Sequence, residues 1–341
     1  MKALGVTAEV LIVGQGIAGT LLAWECERAG IPFMLAAGAE GAPATVSRVA
    51  AGIINPVTGR RLVKSWRIET ALPMARAAYR ELESALGVKI WRDMRVRRIF
   101  QDERERRTGA EKTARGELAP YVEVADPDGL WIDGAARVDL PRLLTAAQEH
   151  WVRAGRWRSE TVDLGAATAR HELVVDCRGL AGALDPRWAT VPWEFSKGET
   201  LELAVANLPV DVIPNAGHWV LPVAPGAAWA GATHTPGVWE ATPTAAARAV
   251  LERSLGPLLG GEPYTITGHT AGVRVNLPDR HPVAGRHPTV ARLGLLNGLG
   301  AKGALLAPML ARQWINHLTE GVPFDGAIDV ARFVSAPRGL L

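Results

Sequence analysis

The stretch VGQGIAG sets glycines at positions 14, 16 and 19 directly after an apolar run and ahead of a helical pattern. This G-x-G-x-x-G spacing, in that setting, is the fingerprint of a dinucleotide pyrophosphate site. Gly14 permits the tight turn, Gly16 lets a phosphate approach the backbone, and Gly19 allows helix and strand to pack closely. The helix N-terminus adds free N–H groups and positive dipole, drawing in Ile17 and Ala18. Such a site serves NAD and FAD alike. Two further apolar runs lead into glycine turns: HELVVD into CRGLAG, and LGLL into NGLGAKG. Other chemistries find no foothold. The eight histidines form no HxxxH or HExxH pattern, leaving metal catalysis without a basis. Cys26 and Cys177 lack CxxC spacing and read as small core residues. Neither a Ser-His-Asp arrangement nor paired carboxylates are evident.

The elements that would position these turns follow from periodicity. Val10 to Val13 is a buried strand, the helix after it runs to about Ala29 with Gly30 as its stop, and Phe33 to Ala36 is a second strand. Two short apolar runs joined by a helix make a βαβ unit, since parallel pairing requires a crossover. A helix is expected over Ile68 to Leu86, and another entered through Asp139 as N-cap with Pro141 in its first turn. The charged stretch RRIFQDERERRTGAEKTARGE reads as an exposed hairpin tip or loop. From about Pro192 to Gly268 short alternating segments broken by Pro and Gly indicate an antiparallel sheet inserted between α/β pieces.

At 341 residues the chain can bury a large core. Hydrophobic residues at 48% and charged residues at 21% fit an ordinary globular protein and exclude a disordered one. The isoelectric point near 9.1 suits an anionic partner, but the net charge is only +3, and no dense basic stripe marks a nucleic-acid surface. No leader pattern and no run of about 18 apolar residues appears, so a cytoplasmic protein without a membrane partner is expected.

Together these segments resemble the FAD-dependent amine and amino-acid oxidase superfamily, which includes glycine oxidase, sarcosine oxidase and D-amino-acid oxidase, nearly end to end. The resemblance implies a Rossmann-like FAD-binding domain with an inserted, mostly antiparallel β substrate domain. It places the first in residues 1–75, 130–190 and 268–341 and the cap in 76–129 and 191–267. In SRVAAGIINPVTGRR, Ser47 and Arg48 would face pyrophosphate or ribose, and Ala50, Ala51, Gly52 and Ile53 would line the isoalloxazine, where a flat ring needs small neighbours. Gly179 in CRGLAG and Val162 before it would approach the adenine side. Gly298, Gly300, Ala301, Lys302 and Gly303 would aim N–H groups at the pyrimidine edge of the flavin.

In GVRVNLPDRHPVAG, Arg274 matches the family's arginine for a substrate carboxylate, a task suited to a forked guanidinium. Asp279, Pro282 and Gly285 match the segment that follows, while Val275 departs from the family's usual proline. His218, Trp219 and His234 are pocket candidates more readily explained as core or surface residues.

The resemblance therefore implies hydride removal beside an amine nitrogen, with the imine then hydrolysed, acting on a small amine or amino acid with dioxygen or another electron acceptor. Two alternatives remain: a tRNA-modification oxidase acting on a carboxymethylaminomethyl uridine, and a non-catalytic flavoprotein-like subunit. One position departs from the pattern. Ala37 stands where relatives carry the acid that binds the adenosine ribose, so FAD is expected to be held loosely unless Glu40 or Arg48 compensates.

Overall fold

The computed structural model describes residues 9–38 and 45–333. Strand Val10–Val13 lies fully buried between two parallel neighbours, Phe33–Ala37 and Leu173–Asp176. Trp157–Ser159 and Leu293–Asn297 extend the parallel sheet on either side, and Val283–Arg286 closes one edge antiparallel. The continuous apolar runs follow from burial on both faces. Val10 and Ile12 pack with helices Ile17–Arg28 and Gly303–Glu320, while Leu11 and Val13 pack with Val174, Leu293 and Trp188 on the other side. The fold is thus mixed α/β, as the sequence indicates.

Among the described residues the second sheet has ten strands. Glu194–Val205 pairs antiparallel with Tyr264–Asn276 along its full length, and on its other side with Ala227–Gly231. The order continues through His218–Ala224, Val212–Ala216, Trp91–Ile99, Gly129–Val138 and Ile53–Ile54. The contact between Val212–Ala216 and Trp91–Ile99 is parallel. Arg137 near the far end reaches the Val223 carbonyl and the Trp229 ring, so the sheet curls back on itself.

Helices Ile68–Leu86 and Leu140–Arg153 form where periodicity and the Asp139 cap place them. The charged insert differs from expectation: it holds a helix, Glu103–Ala114. Asp102 accepts the Glu105 N–H as N-cap, and Glu103 pairs with Arg106 and Arg107 on successive turns. The buried Glu105 carboxylate binds Arg98, which ties the helix to the second sheet. Charge on all sides concealed i,i+3 and i,i+4 pairing, which supports a helix without an apolar stripe. The segment after Pro192 also contains a helix, Ala245–Leu259, whose Leu251, Leu255 and Leu258 cover the outer face of the sheet. No helix among the described residues is long and apolar enough to cross a membrane.

Candidate active site

The three parallel strands at the centre of the first sheet end together, and their turns form one end of a cavity. Gly14 has φ +106°, and a Cβ there would lie 2.8 Å from the Cys177 carbonyl oxygen. A Cβ on Gly19 would overlap the Gly14 carbonyl, so helix Ile17–Arg28 can start this close to the strand only with glycine at both positions. Gly16 caps that helix without a side-chain hydrogen bond. A Cβ there would stand 3.2 Å from Thr45 Oγ1 and 3.3 Å from Ser47 Oγ. The Ile17 N–H donates to Ser47 Oγ at 3.1 Å, placing a hydroxyl at the positive end of the helix. Thr45 in turn accepts the Ser47 N–H as cap of the short turn Val46–Arg48.

From there the chain runs along the cavity as Val49–Ile53. Gly52, at φ +70°, accepts the Val138 N–H through its carbonyl. The floor comes from the paired strands Glu194–Val205 and Tyr264–Asn276, where Gly198 lies directly opposite Gly272. These bare positions leave room for Val46 and Val49 over Gly272, and for the Arg274 guanidinium over Gly198. The far wall is Leu299–Ala304, at the start of helix Gly303–Glu320.

Arg274 lies on this cavity with a single hydrogen bond, from Nη1 to the Thr233 carbonyl at 3.3 Å. No carboxylate among the described residues pairs with it. Burial pulls its pKa below the usual guanidinium range. The result is a desolvated cation facing a cavity, the arrangement in which an incoming anion is bound most strongly. Gly198→Ala is expected to push the guanidinium out of place, since its Cβ would occupy the same space. Steady-state kinetics should then show KM for a carboxylate substrate raised about tenfold or more, as when a charged hydrogen bond is lost.

The structure sorts the remaining candidates. Gly16, Ile17, Ala18, Ser47, Ala50, Ala51, Gly52, Ile53, Gly179, Gly300, Ala301 and Gly303 line the cavity with Arg274 and Trp219. Gly14, Gly19 and Gly298 shape it from behind. Arg48 turns away, donating to Thr145 Oγ1 and Gln148 Oε1 on helix Leu140–Arg153. Val162 lies in an irregular segment after strand Trp157–Ser159, packed beside Leu11 and Leu164 in the core on the other face of the sheet. Lys302 caps the last helix without lining the cavity, its amine pKa lowered by burial. His218 and His234 also stand outside it. Asp279 accepts the His281 N–H and pairs with Arg332, while Gly285 sits against Asp329, so this segment braces a turn.

Sequence reasoning missed Asn297. It is buried, donates to the Gly179 carbonyl at 2.8 Å and accepts the Gly298 N–H at 2.8 Å, tying two of the glycine turns together. A lone Asn at a strand end carries no signal until both turns are known to meet. Burial pushes the Cys26 thiol up to about 12 and raises Cys177 well above the usual thiol range, which disfavours thiolate chemistry at either.

Ala37 ends strand Phe33–Ala37 with its carbonyl accepting the Glu160 N–H; Glu40 lies outside the described residues. Ala37→Glu is expected to tighten FAD about ten- to a hundredfold, the worth of one charged hydrogen bond. Titration of apoprotein followed by quenching of flavin fluorescence measures this.

A profile of the FAD dependent oxidoreductase family matches residues 9–316. The chain belongs to that family. It is an FAD-dependent oxidoreductase, and the cavity suits the cofactor: a helix N-terminus with glycine approach at one end, and the small residues Ala50, Ala51, Gly52, Gly300 and Ala301 at the other. The chain is 33% identical to the tRNA 5-methylaminomethyl-2-thiouridine biosynthesis bifunctional protein MnmC of Maricaulis maris (strain MCS10), over 93% of its own length and 53% of that protein's. It thus spans about half of that relative. It is 29% identical to the putative thiamine biosynthesis oxidoreductase ThiO of Rhizobium etli, over 91% of this chain and 96% of that one. Among solved structures, glycine oxidase from Geobacillus kaustophilus superposes with TM-score 0.73 at 20% identity, covering 98% of this chain and 100% of that one. Iminodiacetate oxidase from Chelativorans sp. BNC1 gives 0.74 at 18%, covering 93% and 96%. At these identities the two structures establish a shared fold.

Proposed function

We propose that this oxidoreductase oxidises the C–N bond of a small amine or amino acid that carries a carboxylate. The observation that carries this reading is Arg274, a desolvated guanidinium on the cavity with no carboxylate of its own. A substrate carboxylate completes its hydrogen bonding and fixes the attached carbon against the floor at Gly198 and Gly272. The backbone from Gly16 to Ala18 with Ser47 would hold the pyrophosphate, and the segments Val49–Ile53 and Gly300–Ala301 would hold the ring. When bound, FAD supplies an acceptor for the hydride, which leaves the carbon with its electron pair. The nitrogen lone pair closes the C=N bond, and water then releases the amine and a carbonyl compound. Dioxygen or another acceptor takes the electrons onward. The apolar side chains of Trp219 and Leu299 form part of the wall beside the reacting carbon. In this reading Arg274 lies on strand Tyr264–Asn276 of the second sheet, so the boundary between an FAD-binding part and a cap falls after this strand and not at residue 268.

Purified protein should be yellow, and an amino acid or N-methyl amine should bleach it anaerobically. A colourless chain unable to take up added FAD would sink the reading in favour of a non-catalytic subunit. The identity to MnmC favours one second reading, an oxidase acting on a carboxymethylaminomethyl uridine of tRNA. Mass spectrometry of nucleosides from treated tRNA, beside peroxide release over an amine panel, separates the two.

A further inference from the structure

The curled sheet carries two arginines that the reading above does not use. Arg92 and Arg137 stand directly opposite each other on strands Trp91–Ile99 and Gly129–Val138, so both side chains leave from the same face. Arg137 is also in register with Ile53, which lines the cavity. Its guanidinium lies 5.7 Å from the centre of the Trp229 ring. Trp229 shares a face with the cavity residue Trp219, because Trp219 pairs with Gly231 and Leu221 with Trp229. The two cations therefore occupy the face of the cap sheet that bounds the cavity, beside its wall at Ile53 and Trp219.

Like charges directly opposite one another oppose sheet formation. Here they are also poorly satisfied. Arg137 is only 8% exposed, and the Nε atoms of both arginines are buried without a hydrogen-bond partner. Arg92 Nη2 donates to the Pro222 carbonyl, and Arg137 Nη1 to the Val223 carbonyl at 3.5 Å. Asp139 Oδ2 stands 3.4 Å from Arg137 Nη2, but the other Asp139 oxygen accepts the Arg142 N–H at the start of a helix. Asp139 and, more weakly, Asp211 also attract Arg92. Neither carboxylate reaches an Nε. Burial lowers the pKa of both guanidiniums despite these acids, and the charge on Arg92 lowers Arg137 further. Buried N–H groups of charged side chains are costly to leave unpaired, and a forked pair of them is suited to a tetrahedral or planar oxyanion.

We propose that Arg92 and Arg137 form a second anion site beside the cavity, which binds a phosphate or carboxylate on the far end of the substrate whose amine end lies at Arg274. The proposal rests on the amine-oxidase reading for the substrate's near end. The cap sheet then selects extended substrates with an anion at each end over the simplest amino acids.

Two measurements on the FAD-loaded protein test it. Calorimetric titration with inorganic phosphate, at ionic strength held constant with chloride, should show saturable binding that weakens at least tenfold in Arg137→Met and in Arg92→Met. Unaltered binding in both variants overturns the site. Thermal unfolding checks that each variant is folded; if Arg137→Met is not, the less buried Arg92→Met decides alone. In the second measurement kcat/KM for N-(2-phosphonoethyl)glycine is divided by that for sarcosine. The wild-type ratio should exceed ten, and it should fall at least tenfold in the variants. Phosphate binding at the pair with a wild-type ratio near one overturns the substrate role and leaves a free-anion site. If neither amine is oxidised the functional reading fails, while the phosphate titration still decides the site.

Discussion

Arg274→Ala should cost the enzyme about thirtyfold to several thousandfold in kcat/KM for a carboxylate substrate, with flavin content unchanged. The magnitude follows from losing one partner of a buried, charge-assisted pair, about 2–5 kcal/mol. The loss should fall mainly on KM, because the guanidinium meets the carboxylate before and during hydride removal alike. Flavin content is the internal control: the side chain contacts the Thr233 carbonyl and lies over Gly198, away from the glycine turn at Gly14 to Gly19. Arg274→Lys should recover only part of the activity, since an ammonium keeps the charge but loses the fork. Kinetics unchanged in Arg274→Ala would place the carboxylate elsewhere.

Gly52→Ala should be the most damaging single methyl in the cavity wall. Its φ of +70° already disfavours any side chain, at about 1–2 kcal/mol. The added Cβ would also overlap the Val138 carbonyl, which belongs to a strand and cannot swing aside. Overpacking against rigid backbone adds about 1–3 kcal/mol. Gly59→Ala separates the two contributions: Gly59 has φ +73° but open space around its missing Cβ. Denaturant midpoints should therefore fall for both variants, and clearly further for Gly52→Ala. Only Gly52→Ala should also release FAD on gel filtration, because the segment from Val49 to Ile53 lines the cavity. Equal midpoints would mean that the strand yields.

Much of the nucleotide-binding half was legible because its signals are local. Gly14, Gly16 and Gly19 announce a turn whose geometry requires glycine at the first and third, and the apolar run Val10 to Val13 reads as a strand buried on both faces. The floor was not legible in the same way. Gly198 and Gly272 are 74 positions apart, and their meaning appears only when the register sets them opposite each other. Arg48 was misplaced for a related reason. Its neighbours in sequence face the cavity, but the short turn Val46–Arg48 rotates its side chain toward Thr145 and Gln148. Helix Glu103–Ala114 escaped because ion pairs and a cap, with almost no apolar face, hold it together.

The buried carboxylate of Glu25, in the first long helix, pairs with Arg312 in the last, and Asn297 bonds Gly179 across the sheet. The cavity is therefore a closure between early and late parts of the chain. During synthesis the glycine turn at Gly14 is made first, yet it has no opposite wall until residues near 304 have left the ribosome and the last helix has docked. Cofactor capture accordingly needs both parts of the chain in place, and FAD stabilises the fold that joins them, by mass action. Without FAD the two ends of the cavity are joined only by the protein's own contacts, such as Glu25 with Arg312 and Asn297 with Gly179.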